Sequence, residues 1–216
     1  YSTLALLNFP DVNIITIEDP VEFVVYGINQ VQVNPKADLT FANGLRSFLR
    51  QDPDIIMVGE VRDKETAAIG INAALTGHLV LSTLHTNDAP GAMTRLDNMG
   101  IEPFLITSSV VMVIAQRLVR KICPKCKESY EVSDEVLEDL GVKREQEEKM
   151  MFSRGTGCAY CAQTGYKGRT CLYEVMVMSD EIRKAVLRRA TATDIKKFAR
   201  VSGMITLREA GIRKVK

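Results

Sequence analysis

Leu49-Arg50-Gln51-Asp52-Pro53-Asp54-Ile55-Ile56-Met57-Val58-Gly59-Glu60-Val61-Arg62-Asp63 and Thr76-Gly77-His78-Leu79-Val80-Leu81-Ser82-Thr83-Leu84-His85-Thr86-Asn87-Asp88 decide the fold of this 216-residue chain. Each sets a short apolar run directly before polar residues able to do chemistry. Apolar runs of this length, bounded by turn residues, read as buried strands. In an open α/β sheet, ligands bind beyond the carboxyl ends of the strands. Glu60 and His85 are therefore predicted on one ligand-bearing edge.

The flanking sequence supplies the rest of such a sheet. Asn13 to Ile17 is a β-branched run that predicts another strand, ending in Glu18-Asp19-Pro20. Tyr1 to Asn8 reads as the tail of a helix stopped by Pro10. Glu22–Tyr26 and Gln30–Asn34 flank Gly27 and predict a hairpin or meander, with Val31 and Val33 facing in. Thr40 is placed to cap a helix over 41–51, whose Phe41, Leu45, Phe48 and Leu49 share a face. Ala-rich Asp63–Ala74 predicts a helix ended by Gly77, followed by a strand over Leu79–Leu84. Asp88–Met99 predicts a further helix closed by Gly100, and Pro103–Val119 reads as apolar and helical. Strands alternating with helices argue for a parallel sheet with crossover connections.

Composition excludes more than it selects. The chain is 46% hydrophobic and 25% charged with a formal net charge of +1, as expected of a globular protein whose overall charge selects no partner. No apolar run reaches the roughly 18 residues of a membrane span. The chain opens at Tyr1 in an apolar segment rather than at Met, and reads as a piece of a longer protein. Past Cys123 the sequence changes character. Residues 131–150 are acidic, with Glu145, Glu147 and Glu148 clustered, and residues 181–216 are basic with two short helices expected. The acidic and basic parts are readable as attracting each other or, as charge runs more often are, as two solvated faces. Thr206-Leu207-Arg208-Glu209 fits a capping box.

Three strand-end acids carry the chemistry. Nucleotide hydrolysis needs carboxylates near magnesium and a group that orients or deprotonates the attacking water. Glu18, Asp19 and Glu60 supply these; alternatively they cap helices or pair with Arg62. His85, among Ser82, Thr83, Thr86 and Asn87, suits a phosphate sensor, whereas His78 precedes its strand and is as readable as a structural side chain. Arg46 and Arg50, four apart on a predicted helix, are either exposed charges or arginines that reach a neighbouring subunit's site.

Five cysteines are present, four of them as Cys123-x-x-Cys126 and Cys158-x-x-Cys161 with 31 residues between the pairs. Such knuckles predict one tetrahedral thiolate zinc site, closed and therefore structural. Thiolate sites suit a reducing compartment, which favours the cytoplasm. Cys171 is left over, and is expected to be a small buried or half-buried residue. No G-x-x-x-x-G-K-[ST] phosphate loop occurs. A nucleotide enzyme of this kind needs one, so either that assignment fails or the loop lies just upstream of Tyr1.

Together these residues resemble the secretion ATPase superfamily that drives type II secretion and type IV pilus assembly (its GspE/PilB branch). Thr16–Glu22 is similar to the family's aspartate box, Leu49–Asp63 to its atypical Walker B stretch with Gly59 where many ATPases have aspartate, and Thr76–Asp88 to its histidine box. Ala115–Arg120 and the two cysteine knuckles match the branch with a tetracysteine subdomain. Cys171 departs from the glycine common there, which predicts an altered turn.

The resemblance implies an α/β fold: a RecA-like P-loop NTPase core over 1–120 lacking Walker A, a zinc subdomain over 121–175 and a helical region over 176–216. It implies that Glu18 and Glu60 activate or orient water, that Asp19 supports the magnesium shell, and that His85, with His78 behind it, senses the γ-phosphate. ATP, Mg²⁺ and Zn²⁺ are the implied cofactors. The implied assembly is a homo-hexamer on the cytoplasmic face of the inner membrane. It would work with a membrane platform protein and a cytoplasmic adaptor, membrane-associated only through partners. A non-hydrolysing zinc-stapled interaction module is the second reading. A zinc-ribbon nucleic-acid binder leaves Glu18, Glu60 and His85 unexplained, and the aromatic residues do not interleave with the basic tail as a stacking platform requires.

Overall fold

The computed structural model describes residues 1–141 and 151–215, so the expected Glu145–Glu148 acidic cluster lies outside the described residues. Two compact units are present: Tyr1–Val113 with Val177–Ser202, and Ile114–Met176 with Gly203–Lys216. This differs from a division at 120/121 and 175/176. The basic tail is shared between the units, because packing rather than composition decides which helix joins which core.

The first unit is built on a four-stranded sheet in the order β2-β1-β3-β4, with every pairing parallel. Its strands are β1 (Ile14–Glu18), β2 (Asn29–Gln32), β3 (Ile55–Val58) and β4 (Leu79–Ser82). All five β1 residues are buried, as expected of a central parallel strand covered on both faces. Its alternation sorts them. Ile15 and Ile17 join Leu45, Phe48, Ile56, Val58 and Ala73 in one core, and Ile14 joins Leu4 and Ile55 in another.

Helices α1 (Ser2–Leu7), α2 (Phe41–Phe48) and α3 (Lys64–Leu75) cover the sheet. The hydroxyl of Thr40 accepts the N–H of Asn43, capping α2 as the sequence predicts, and the carboxylate of Asp63 accepts the N–H of Thr66, capping α3. Gly44 brings α2 against β1: a Cβ there would stand 2.2 Å from Ile17 Cδ1. Helix α2 stops before the expected Gln51: Arg50 N–H and Gln51 N–H turn back to Ser47 O and Phe48 O, Asp52 takes a positive φ of 49°, and the Asn13 amide donates to the carbonyls of Gln51 and Asp52. Helix α4 (Ala89–Asn98) follows β4, capped by Asp88.

Two expectations fail here. Glu22–Tyr26 is not a strand, and β2 pairs parallel to β1 rather than closing a hairpin. The Gln30 side chain does a partner strand's work, donating to Phe23 O and accepting from Val25 N–H. That makes Gln30 half-buried while Val31 and Val33 face in as predicted. The segment 103–119 is not one helix: α5 (Pro103–Ser109) ends and β5 (Met112–Ile122) begins. Ser108 and Ser109 hydroxyls bond back to the carbonyls of Phe104 and Leu105, and the β-branched run that comes next favours a strand.

The second unit pairs β5 with β8 (Tyr166–Val177), and β6 (Lys127–Glu131) antiparallel with β7 (Met151–Gly155). Val132, Phe152 and, from α6 (Asp134–Leu140), Leu137 form a small core. Three tail helices replace the expected two: α7 (Asp180–Leu187) and α8 (Ala192–Val201) in the first unit, and α9 (Leu207–Val215) in the second. Helix α9 opens on the predicted capping box, Thr206 N–H to Glu209 at 2.8 Å and Glu209 N–H to Thr206 Oγ1 at 3.2 Å. Among the described residues no helix is long and apolar enough to cross a membrane.

Candidate functional site

Four parallel strands align their carboxyl ends, so the residues just beyond each strand share one edge. Pairing continues past β3: Gly59 N–H donates to Ile17 O at 2.8 Å, and Val61 N–H to Thr83 O at 3.0 Å. The Thr83 hydroxyl donates to Gly59 O at 2.7 Å. A Cβ on Gly59 would lie 3.3 Å from both Glu18 Cα and Ile17 O, so glycine lets β1 and β3 stay close where their tips carry acids.

Glu60 stands between two partners. Its Oε1 accepts from Arg62, and its Oε2 lies 2.9 Å from His85 Nε2. Its side chain is 14% exposed, against 59% for Arg62 and 82% for His85. The Arg62 guanidinium holds the Glu60 carboxyl below its ordinary range; burial opposes this and His85 assists it. Glu60 in turn pushes Arg62 further up, with exposed Asp19 adding to the effect.

Glu18 is set differently. It is buried, its Oε1 accepting from the Thr16 hydroxyl and, at 3.0 Å, from the Gln30 amide, its Oε2 from the Tyr1 hydroxyl. Burial first, and Glu18 second, push the Tyr1 phenol above its usual range. Gln30 and Tyr1 are not marked as site residues by the sequence; no motif marks a partner 12 or 17 residues away.

The structure thus brings Glu60 and His85 together and sets Glu18 and Asp19 on the same edge. His78 lies elsewhere. It precedes β4, its Nδ1 2.9 Å from Ala73 O and 3.2 Å from Thr76 Oγ1. A four-residue strand at about 3.3 Å per residue separates it from the His85 end. Arg46, on α2, pairs with Glu65 and with Asn43 Oδ1, while Arg50 is exposed just past that helix.

The four cysteines of the second unit converge. All four sulfurs lie within 4.8 Å of one another. Cys123–Cys158, Cys126–Cys161 and Cys158–Cys161 are 3.9, 3.8 and 3.7 Å apart. Tetrahedral Zn–S bonds of about 2.3 Å require S···S near ~3.8 Å, so the donor set fits zinc. Cys161 Sγ also accepts N–H groups from Cys158 at 3.3 Å and Gly165 at 3.2 Å. Burial raises that thiol, but these two donors together with the Cys158 and Cys126 side chains outweigh it and bring Cys161 down to about 6. Burial, assisted by the neighbouring thiols, pushes Cys126 up to about 12. Four such thiols cannot ionise together without a cation among them.

Glycines make the knuckle possible. A Cβ on Gly155 would stand 2.0 Å from Gly165 O. Cys171 lies outside the cluster, half-buried within β8, where it accepts from the Gln116 amide at 3.4 Å. Its backbone has no positive φ, so the altered turn expected there is not formed; an extended strand accommodates any side chain. Around the knuckle, Arg120 lies 3.9 Å over the Tyr166 ring and Lys125 4.4 Å over Tyr160. Aromatic and basic residues thus interleave here rather than in the tail.

Comparisons agree along the whole chain. The family model described as "Type II/IV secretion system protein" matches residues 1–216. The chain is 54% identical to the type IV pilus assembly ATPase PilB of Thermus thermophilus, over 99% of the chain and 24% of that protein. It is 51% identical to the type II secretion system protein E of Pseudomonas aeruginosa, over 100% of the chain and 42% of that protein. It therefore spans well under half the length of these relatives. Among solved structures, the pilus retraction motor PilT with bound ADP superposes with a TM-score of 0.62 at 27% identity, over 97% of the chain and 55% of PilT. The Legionella pneumophila ATPase DotB gives 0.57 at 26% identity, over 92% and 47%.

Proposed function

The chain belongs to the type II/IV secretion system protein family, and from that premise we propose that it forms part of a hexameric motor ATPase coupling ATP hydrolysis to type IV pilus assembly or type II protein secretion. The observation that carries the reading is Glu60, held between Arg62 and His85 at the carboxyl edge of a parallel sheet. The all-parallel order and the likeness to PilT support a RecA-like core.

In this reading Glu60 and Glu18 activate and orient the attacking water, Asp19 orders the water shell of the magnesium ion, and His85 contacts the γ-phosphate. ATP and Mg²⁺ supply the phosphoryl group and the charge that offsets it. His78 holds the turn between α3 and β4. Arg46 and Arg50 are the candidates to reach a neighbouring subunit. The tetracysteine cluster takes one structural Zn²⁺, supported by its sulfur spacing. The motor would sit at the cytoplasmic face of the inner membrane, working through a platform protein and an adaptor and binding no nucleic acid.

A second reading is a non-hydrolysing zinc-stapled module, supported by the sulfur spacing of the tetracysteine cluster. Two measurements decide. In the full-length protein, Glu60→Gln should abolish hydrolysis while nucleotide still binds; normal turnover moves the catalytic role elsewhere. The 216-residue chain alone should bind ATP weakly and turn over none; robust turnover would show that no phosphate loop is needed.

A further inference from the structure

We infer that Tyr1 is a positioning residue for Glu18: its phenol takes Oε2 of the carboxylate while Thr16 and Gln30 take Oε1, so that Glu18 meets water through a single remaining acceptor site on Oε2. This rests on the assignment of Glu18 to water activation.

The arrangement begins with the alternation of β1. Ile14, Thr16 and Glu18 share one face of the strand, the face on which Ile14 packs with Leu4 and Ile55. Tyr1, at the N-terminal end of α1, lays its ring against that cluster and edge-on to Phe23, with centroids 5.5 Å apart and planes at 76°. The ring is fixed by these contacts, and its hydroxyl has two partners. It donates to Glu18 Oε2 and accepts the Glu22 N–H at 3.1 Å. Burial first, and Glu18 second, raise the phenol, so it remains a donor at neutral pH.

A carboxylate offers about four acceptor sites. On Glu18 Oε1 the Thr16 hydroxyl and the Gln30 amide take two, and on Oε2 Tyr1 takes one. One site remains, on the oxygen that Tyr1 holds. Gln30 is itself held, donating to Phe23 O at 2.9 Å and accepting from Val25 N–H at 2.6 Å. Glu18 is 3% exposed, so these neighbours rather than solvent set its orientation. Thr16 belongs to the same strand as Glu18, and Gln30 also carries the 23–25 segment. Tyr1 is the donor whose hydroxyl can be removed while its packing stays.

The test uses the full-length protein, with ATP hydrolysis measured for the wild type, Tyr1→Phe, Glu18→Gln and the double variant. Tyr1→Phe keeps the ring and its contact with Phe23 and loses only the hydroxyl. It should lower kcat at least about tenfold and leave KM for ATP within about twofold. Added to Glu18→Gln, which slows turnover by itself, Tyr1→Phe should cost less than about twofold more, because a residue acting through another has no effect once that other is gone. Single-turnover measurements keep the slow Glu18→Gln background readable. Three results overturn the inference: equal losses from Tyr1→Phe in both backgrounds, which would make the phenol a purely structural group; a raised KM with wild-type kcat, which would place it on nucleotide; and wild-type kinetics in Tyr1→Phe. Wild-type turnover by Glu18→Gln overturns the parent assignment instead. Matching circular dichroism spectra of the variants confirm that the comparison is between folded proteins.

Discussion

Gly155→Ala should disable the tetracysteine site without touching a cysteine. The new Cβ would stand 2.0 Å from Gly165 O, 2.6 Å from its carbonyl carbon and 2.7 Å from its Cα. Ordinary C···O contacts begin near ~3.3 Å, so the two backbones must part by about 1.3 Å. Backbone on both sides leaves no flexible group to yield. Gly165 serves the knuckle twice, donating to Cys161 Sγ at 3.2 Å and accepting from Cys123 N–H at 2.9 Å. A zinc site tolerates about 0.2 Å in its ligand distances. Loss of groups that orient ligands typically costs about 10–100-fold in affinity, and overpacking a further ~1–3 kcal/mol in stability. The assay is zinc competition against a chromogenic chelator together with thermal melting. Gly168→Ala is the control: nothing lies within 4 Å of its Cβ position and only its φ of +76° resists substitution. It should lose about 1–2 kcal/mol with zinc affinity intact. Wild-type zinc affinity in Gly155→Ala would refute the close approach as the basis of the site.

Further outcomes rest on the same geometry. Zinc should measure near one per chain, and chelation should unfold the knuckle while leaving the parallel sheet; a metal-free, fully folded knuckle refutes structural zinc. Leu45→Ala, at a fully buried position between α2 and the sheet, should cost about 3–5 kcal/mol in urea unfolding, and a loss below about 1 kcal/mol would mean α2 does not carry that core. Asp63→Ala removes an acceptor 2.8 Å from Thr66 N–H and should cost about 1 kcal/mol, checked by the same unfolding curve. Because Arg62 depresses the Glu60 carboxyl, their pairing stabilises the fold above the ordinary carboxylate range, near pH 4.5, and that contribution is lost as pH falls through the lower folded value. Exposure of Arg62 keeps it small. The stability gap between wild type and Arg62→Gln should therefore close on acidification, and a widening gap refutes the pairing.

Much of the sheet was legible because its signals are local. The apolar runs at 13–17, 55–58 and 79–84, the cap Thr40 and the glycine stops act within a few residues of where they are read. Misreadings arose where a partner decided the conformation. The run 103–119 is apolar enough for helix or strand, and pairing with β8 settles residues 112–122. Gln30–Asn34 alternates as an outer strand should, but nothing within it says whether its neighbour is 22–26 or β1. The site divided likewise. Glu60 with His85 and the four cysteines were found by type and spacing. The setting of Glu18, the remoteness of His78 and the engagement of Arg46 by Glu65 were not.

The sequence alone determined that strand tips bear Glu18, Glu60 and His85, and that two C-x-x-C pairs can close one metal site, since strand period and ligand spacing are properties of short segments. Only the tertiary structure decided what each tip touches. Parallel pairing of β1, β3 and β4 sets Glu60 against His85, although 25 residues separate them in the chain. Arg62 reaches the same carboxylate, and Tyr1, Thr16 and Gln30 close around buried Glu18. Those contacts depend on register between distant segments, and register is fixed by the packing of the whole core rather than by any one stretch.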